Sequence, residues 1–240
     1  AASYPALMAS ALVKFVTVVL FPLFVVSWLR GRQLTREKLS GALWGLALAA
    51  LLAAVVYAPF WVGPETVGAL KRGDLFTASP TALAFYFLRE RGFEGAGQVV
   101  KLVGGGLFAL FVLYRTAALR SGSQNLLMAS FDVVFAYLVL ATFWFQPWYL
   151  AVLLQLSAAL EDPARRRLGL IFSASAVLNY LVFVYFWLWY PQWLGLLQVQ
   201  ALAATCIYGP PLVYVLRLLG SQTARPAAES PASAAAEGLD

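Results

Sequence analysis

The sequence predicts an all-α protein, a polytopic transmembrane helix bundle of about seven membrane segments with one long outer loop. Three observations predict it. Hydrophobic residues make up 62% of the 240 positions, against roughly 45–50% in a soluble domain. Charged residues make up only 12%, about half the usual share of roughly 25%, and mean hydropathy is +0.77. The apolar residues are also gathered into runs, most of them near the length of about 20 that a spanning helix needs. A water-soluble fold of this composition would expose apolar patches of a kind that monomers avoid.

The runs fall at 5–29, 42–62, 98–114, 126–145, 148–160, 168–188 and 194–216. The first is long, carries Lys14 inside it and Pro22 further on, and divides naturally into two half-helices meeting near Lys14. The third contains Gly104, Gly105 and Gly106 with no strand before and no Lys-Ser/Thr after, so these glycines predict close helix packing or a kink rather than a phosphate loop. The fifth is short, with Trp148 and Tyr149 as interfacial anchors beside Pro147 in a tight turn. Residues 63–97 form the long loop. Within it, 79–88 is aromatic and too short to span, and predicts a helix opened by Pro80 that lies in the interface or covers a site. Residues 1–220 thus form one membrane domain. The stretch 221–240 is rich in Ala, Ser, Pro and Glu without an aromatic residue, which predicts a disordered cytoplasmic tail. The chain opens without Met and without a basic leader, so it is not a signal peptide, and an upstream part is expected.

Charge placement orients the bundle in the cell membrane. Arg30, Arg32, Arg36 and Lys38 follow the first run, Arg115 and Arg120 the third, Arg165, Arg166 and Arg167 the fifth, and Arg217 and Arg225 the seventh. The turns after the fourth and sixth runs carry no charge, and basic and acidic residues balance across 63–97. The positive-inside rule then puts the odd-numbered run ends and the C-terminus in the cytoplasm. The net charge of +6 is topological on this reading, and no nucleic-acid partner is expected.

Composition also restricts chemistry. The chain has no His, which removes the commonest general base and excludes Ser-His-Asp catalysis within it. Cys206 is the only cysteine, so an internal disulfide and a Cys-based zinc site are excluded. No metal or cofactor is expected. Lys14 inside an apolar run either meets a partner, such as a lipid phosphate, or snorkels to the headgroups. Asp132, just inside the fourth run, is expected to pair with Arg115 or Arg120, and Gln155, Asn179 and Gln200 to hydrogen-bond between helices. Arg89 and Arg91 flank Glu90 after the aromatic stretch, and either grip a phosphate or form a solvated cluster. Gln146, Trp148 and Tyr149 form either an ordinary aromatic belt or a rim on which a sugar ring could stack.

Three stretches together resemble the bacterial GT-C class of membrane glycosyltransferases. The first runs from Ala11, Leu12, Val13, Lys14 and Phe15 into Leu20, Phe21, Pro22 and Leu23, then Arg30. The second is Tyr57, Ala58, Pro59, Phe60, Trp61, Val62 and Gly63, leading to Phe76, Ser79 and Pro80. The third is Phe145, Gln146, Pro147, Trp148, Tyr149 and Leu150 before an arginine-rich turn. The resemblance spans roughly residues 5–190 and is nearest to mannosyltransferase-like branches. It implies a polyprenyl-phosphate-linked sugar donor, a lipid or glycan acceptor and transfer on the extracytoplasmic face. Lys14, Arg89 and Arg91 would contact phosphate, and Gln146, Trp148 and Tyr149 would line the sugar side. The class carries its catalytic carboxylate in its first outer loop, expected upstream of residue 1, so neither Glu65 nor Asp74 is assigned as base. Two other functions suit the pattern. A flippase or transporter of lipid-linked saccharides should show repeated halves, and no repeat is visible. A non-catalytic membrane subunit would not require arginines and an interfacial helix in the long loop.

Overall fold

The computed structural model of the protein describes residues 3–13, 15–30, 35–63, 65 and 75–223. These residues are helical apart from short connections, with no strand longer than an isolated bridge among them. Among the described residues, four helices are long and apolar enough to cross a membrane, and three shorter apolar ones accompany them. Lys14 lies outside the described residues, as do Lys71, Arg72, Asp74 and most of the expected tail.

The first apolar run is a hairpin. Helix α1 (Ser3–Val13) and helix α2 (Phe21–Leu29), the latter entered through a 3-10 stretch at Phe15–Leu20, are separate elements. Tyr4 near the start of α1 meets Trp28 near the end of α2 edge to face, with ring centroids 6.4 Å apart, so the hairpin begins and ends at one end of the bundle. Eleven residues in α1 rise only about 16 Å, roughly half a bilayer. Tyr4, Leu7 and Ala11 form its buried face at helical spacing. It packs along α3 (Arg36–Tyr57), whose buried face is the small-residue row Ala42, Gly45 and Ala49. Trp28 closes the connection by donating from Nε1 to the Lys38 carbonyl at 3.2 Å.

The centre of the bundle holds α5 (Ala96–Ser121), α6 (Leu126–Ala136), α7 (Leu150–Ala159), α8 (Pro163–Val182) and α9 (Leu196–Thr223). Local chemistry sets the ends. Asn125 caps α6 by accepting from the Met128 amide at 2.8 Å. Asp162 caps α8 by accepting from Ala164 and Arg165, with Pro163 at the first helical position. Gly122 ends α5 at φ +88°, and a Cβ there would also sit 2.7 Å from the Arg30 guanidinium. Both α6 and α8 finish in π-helical turns, Tyr137–Ala141 and Phe183–Trp189. At the first, Gly104 of α5 lets the two backbones approach, because a Cβ on it would lie 2.4 Å from the Leu140 carbonyl oxygen. Gly105 and Gly106 face open space, so the close packing expected of the triplet belongs to its first member. Helix α9 runs through Pro210 and Pro211 to Thr223, three residues into the stretch expected to be tail.

The runs at 126–145 and 148–160 make shorter helices than a full crossing needs. The space is filled by the end of the long loop. Thr77 bridges Trp144 in a short parallel pairing, with Thr77 N to Phe143 O at 2.9 Å and Phe145 N to Thr77 O at 3.0 Å. Ser79 donates to the Phe143 carbonyl and Thr81 to the Thr142 carbonyl. Gln200 of α9, fully buried, accepts from the Ala78 amide at 2.7 Å. Irregular backbone survives inside an apolar bundle only when its polar groups are bonded in this way. Ala78, also fully buried, has φ +52°, a strained value for an L side chain that the ladder on either side holds in place.

Candidate functional site

Helix α5 is about 39 Å long and separates two polar ends. One end is an ion-pair knot. Asp132 of α6 pairs with Arg115 of α5, and with Arg165 of α8 at 2.8 Å to Nε and 2.9 Å to Nη2. Gln124 donates to the same carboxylate at 2.8 Å, and Arg30 donates to the Gln124 carbonyl at 3.1 Å. Arg165 also pairs with Asp162. The expectation that Asp132 pairs with Arg115 holds, and Arg165 is a second partner that sequence spacing did not suggest. Burial acts to raise the Asp162 pKa, but hydrogen bonds from Arg165 and the Ala164 amide outweigh it and hold the carboxyl below 3.8. Arg115 and Arg165 both meet carboxylates, so the knot ties α5, α6 and α8 together.

The other end carries the long loop. Ser79 caps α4 (Pro80–Glu90) by accepting from the Ala82 amide at 3.0 Å, and Pro80 takes the first helical position. Thr81 and Ala82 are buried, and α4 packs against α5 and α9 rather than floating as an isolated surface helix. Between α4 and the start of α5 lies a cleft with two lobes, each of about 500 Å³. Phe85 and Glu94 border both lobes. Arg89, Gly92 and Phe93 complete one, and Phe76, Gln98 and Lys101 line the other. Phe76 and Phe85 stack with centroids 4.0 Å apart and planes 11° apart. Arg89 Cζ lies 5.9 Å from the Phe85 centroid, and Lys101 Nζ lies 5.7 Å from that of Phe76. Tyr86 beside it has a pKa raised by burial, partly offset by the charge of Arg89. The cleft therefore offers Arg89 in one lobe and Lys101 in the other, with Phe85 and Glu94 common to both.

A second hollow, of about 570 Å³, lies at the far end of α3 and is lined by Ala53, Ala54, Tyr57, Ala58 and Trp61. Its lining is mostly apolar, with Tyr57 and Trp61 the only members that carry a polar side-chain group.

The residues singled out from sequence separate. Arg89 lines the cleft. Arg91 does not, and lies over the Phe87 ring at 3.8 Å. Successive helical residues turn by about 100°, so Phe85 with Arg89 and Phe87 with Arg91 are two i,i+4 pairs on different faces of α4. Gln146, Trp148 and Tyr149 form their own turn, where the Tyr149 amide donates to the Gln146 carbonyl at 2.9 Å and the short 3-10 stretch packs against α7 and α8. Neither lobe includes them. Phe143, three residues before Gln146, has its ring centroid 5.7 Å from that of Phe76. Sequence reasoning missed Glu94, Gln98 and Lys101. Their three- and four-residue spacing at a helix start was the available signal. Among the described residues no group of His, Cys, Asp or Glu is placed to hold a metal ion. Comparison with protein-family models, curated proteins and solved structures gives no match.

Proposed function

We propose that the chain is the donor-binding part of a membrane glycosyltransferase resembling the GT-C class. It would act on a polyprenyl-phosphate-linked sugar, mannose by the nearest resemblance, on the extracytoplasmic face. The observation that carries this reading is the cleft. Its end of the bundle lies opposite the arginine-rich knot, so the positive-inside rule would face it outward, and the cleft brings Arg89 and Lys101 to adjoining lobes that share Phe85 and Glu94. Arginine and lysine so placed suit a lipid-linked phosphate, the first as a planar fork and the second as a point charge.

The reaction makes a matching demand. An acceptor hydroxyl attacks the anomeric carbon, its proton passes to a carboxylate, and the polyprenyl phosphate leaves. Negative charge develops on the leaving phosphate, where fixed cations stabilise it most. None of the described carboxylates is assigned the role of base.

The test uses the protein reconstituted in vesicles with a radiolabelled short-chain polyprenyl-phosphate mannose. Saturable binding from the loop-exposed side, displaced by unlabelled polyprenyl phosphate, is expected. Absence of saturable binding overturns the reading. Carriage of the labelled donor from one leaflet to the other overturns it in favour of a transporter.

A further inference from the structure

We infer that the turn joining α8 to α9, residues 190–195, is seated in the bilayer rather than in water. With the last turn of α8 it forms an aromatic surface whose partner is the headgroup–acyl boundary of the phospholipid. It stands at the same end of the bundle as the long loop, because Gln200 at the start of α9 accepts from the Ala78 amide while Arg165 at the start of α8 belongs to the knot. None of its residues lines the α4–α5 cleft.

No Asp, Glu, Lys or Arg occurs between Arg167 and Arg217. A turn that enters water between two spanning helices has no need to avoid charge. The connection from α4 to α5, at the same end, carries Arg89, Glu90, Arg91 and Glu94. The α8–α9 turn is built instead around Trp187, Trp189, Tyr190 and Trp193, and tryptophan and tyrosine prefer headgroup level. Length agrees. From Leu168, just past the arginines, to Trp189 the helix rises about 30 Å, the thickness of a hydrocarbon core. Trp189 thus reaches one boundary where the arginines mark the other.

The π-helical turns aim these rings outward. Leu168, Phe172, Ser175, Asn179 and Val182 form the buried face of α8 in steps of three and four. Continued as an α-helix, that face would carry Trp189 inward, seven residues after Val182. Phe183–Trp189 is π-helical, with the Tyr190 amide bonded to the Tyr185 carbonyl at 2.9 Å, and each of its residues turns less than in an α-helix. Trp189 is therefore 65% exposed, beside Leu188 at 67% and Trp193 at 57%. The surface is also rigid. Tyr190 stacks on Trp193 with centroids 4.4 Å apart, and Tyr185 touches both rings.

The backbone suits a site without water. The Tyr190 amide is bonded within the π turn, the Trp193 amide donates to the Tyr190 carbonyl at 3.1 Å, and the Gly195 amide donates to the Gln198 side chain at 2.8 Å. Pro191 has no amide hydrogen to satisfy. Irregular backbone at membrane depth needs internal bonds of this kind.

The experiment places the full chain, with Cys206→Ser, in nanodiscs of phosphatidylcholine. An environment-sensitive NBD dye is attached at Gln192→Cys or, for comparison, at Glu90→Cys; both positions are exposed. At 192 the dye is expected to emit at shorter wavelength than at 90 and to escape aqueous iodide. A nitroxide near the lipid headgroup should quench it at least about threefold more than one deep in the acyl chains. At 90 iodide should quench strongly. Replacing Trp189 and Trp193 together with serine should expose the dye at 192 to iodide without changing the dye at 90. Iodide quenching at 192 equal to that at 90 would make the turn a solvated loop and overturn the inference. Stronger quenching by the deep nitroxide would overturn it too, as would protection from iodide and both nitroxides, which would mean that a second copy covers the surface.

Discussion

Replacing Asp132 with alanine should destabilise the bundle more than any other single polar substitution at the arginine-rich end. Asp132 is one-tenth exposed and receives Arg115, Arg165 and Gln124. Breaking a buried pair by removing one partner costs roughly 3–5 kcal/mol, because the remaining charge stays buried and uncompensated. Two features reduce that here. The Arg115 and Arg165 side chains are about one-fifth exposed, and Arg165 keeps Asp162. The orphan is therefore Arg115, and a loss of about 2–4 kcal/mol follows. The assay is unfolding of purified protein in mixed detergent micelles, followed by tryptophan fluorescence. Arg115→Leu alone should cost less, since Asp132 retains Arg165 and Gln124. Adding it to Asp132→Ala should recover stability, because no unpaired guanidinium then remains. A single Asp132→Ala variant within about 0.5 kcal/mol of the parent, the scatter of ordinary surface changes, would refute the argument, as would a double variant whose loss is the sum of the two.

Two further outcomes follow from local geometry. Gly104→Ala should lower the unfolding midpoint, because its Cβ meets the Leu140 carbonyl, while Gly105→Ala, facing open space, should be neutral or stabilising by up to about 1 kcal/mol through helix propensity; thermal scans of the two variants compare them directly. The Asp162 pKa is depressed in the folded state, so its stabilisation is fully present above the unfolded value and disappears as pH falls through the folded one. The difference between the parent and Asp162→Asn should then stay constant from about pH 5 to pH 8 and vanish only in strong acid.

The parts of the architecture visible in the sequence were those written in local pattern. Apolar runs located the long helices, Pro80 marked the start of α4, and Asp132 inside an apolar run implied a cationic partner. The pairing of Thr77 with Phe143 and Phe145 left no such trace, because Thr77 read as loop, 142–145 read as the end of a membrane run, and the bonded residues lie more than sixty positions apart. Gln200 was expected to bond between helices, and its oxygen instead accepts from the Ala78 amide of the loop, 122 positions away. At the cleft, Arg89 and Arg91 looked equivalent in one dimension and were separated by helical rotation, an inference that the i,i+4 partners Phe85 and Phe87 already contained. Lys101 was hidden differently. It lies inside an apolar run and read as part of a span, and only the packing of α4 against α5 brings it to a lobe shared with Phe85.

The most direct measurement is the dissociation constant of a short-chain polyprenyl-phosphate mannose for three variants, Arg89→Ala, Lys101→Ala and Arg91→Ala. Charge-assisted hydrogen bonds contribute roughly 1.5–3 kcal/mol, and the exposure of Arg89 argues for the lower end. Weakening of about tenfold is expected for Arg89→Ala and Lys101→Ala, with less than about twofold for Arg91→Ala. Equal losses at Arg89 and Arg91, or none at Lys101, would contradict the placement of the donor phosphate in the α4–α5 cleft.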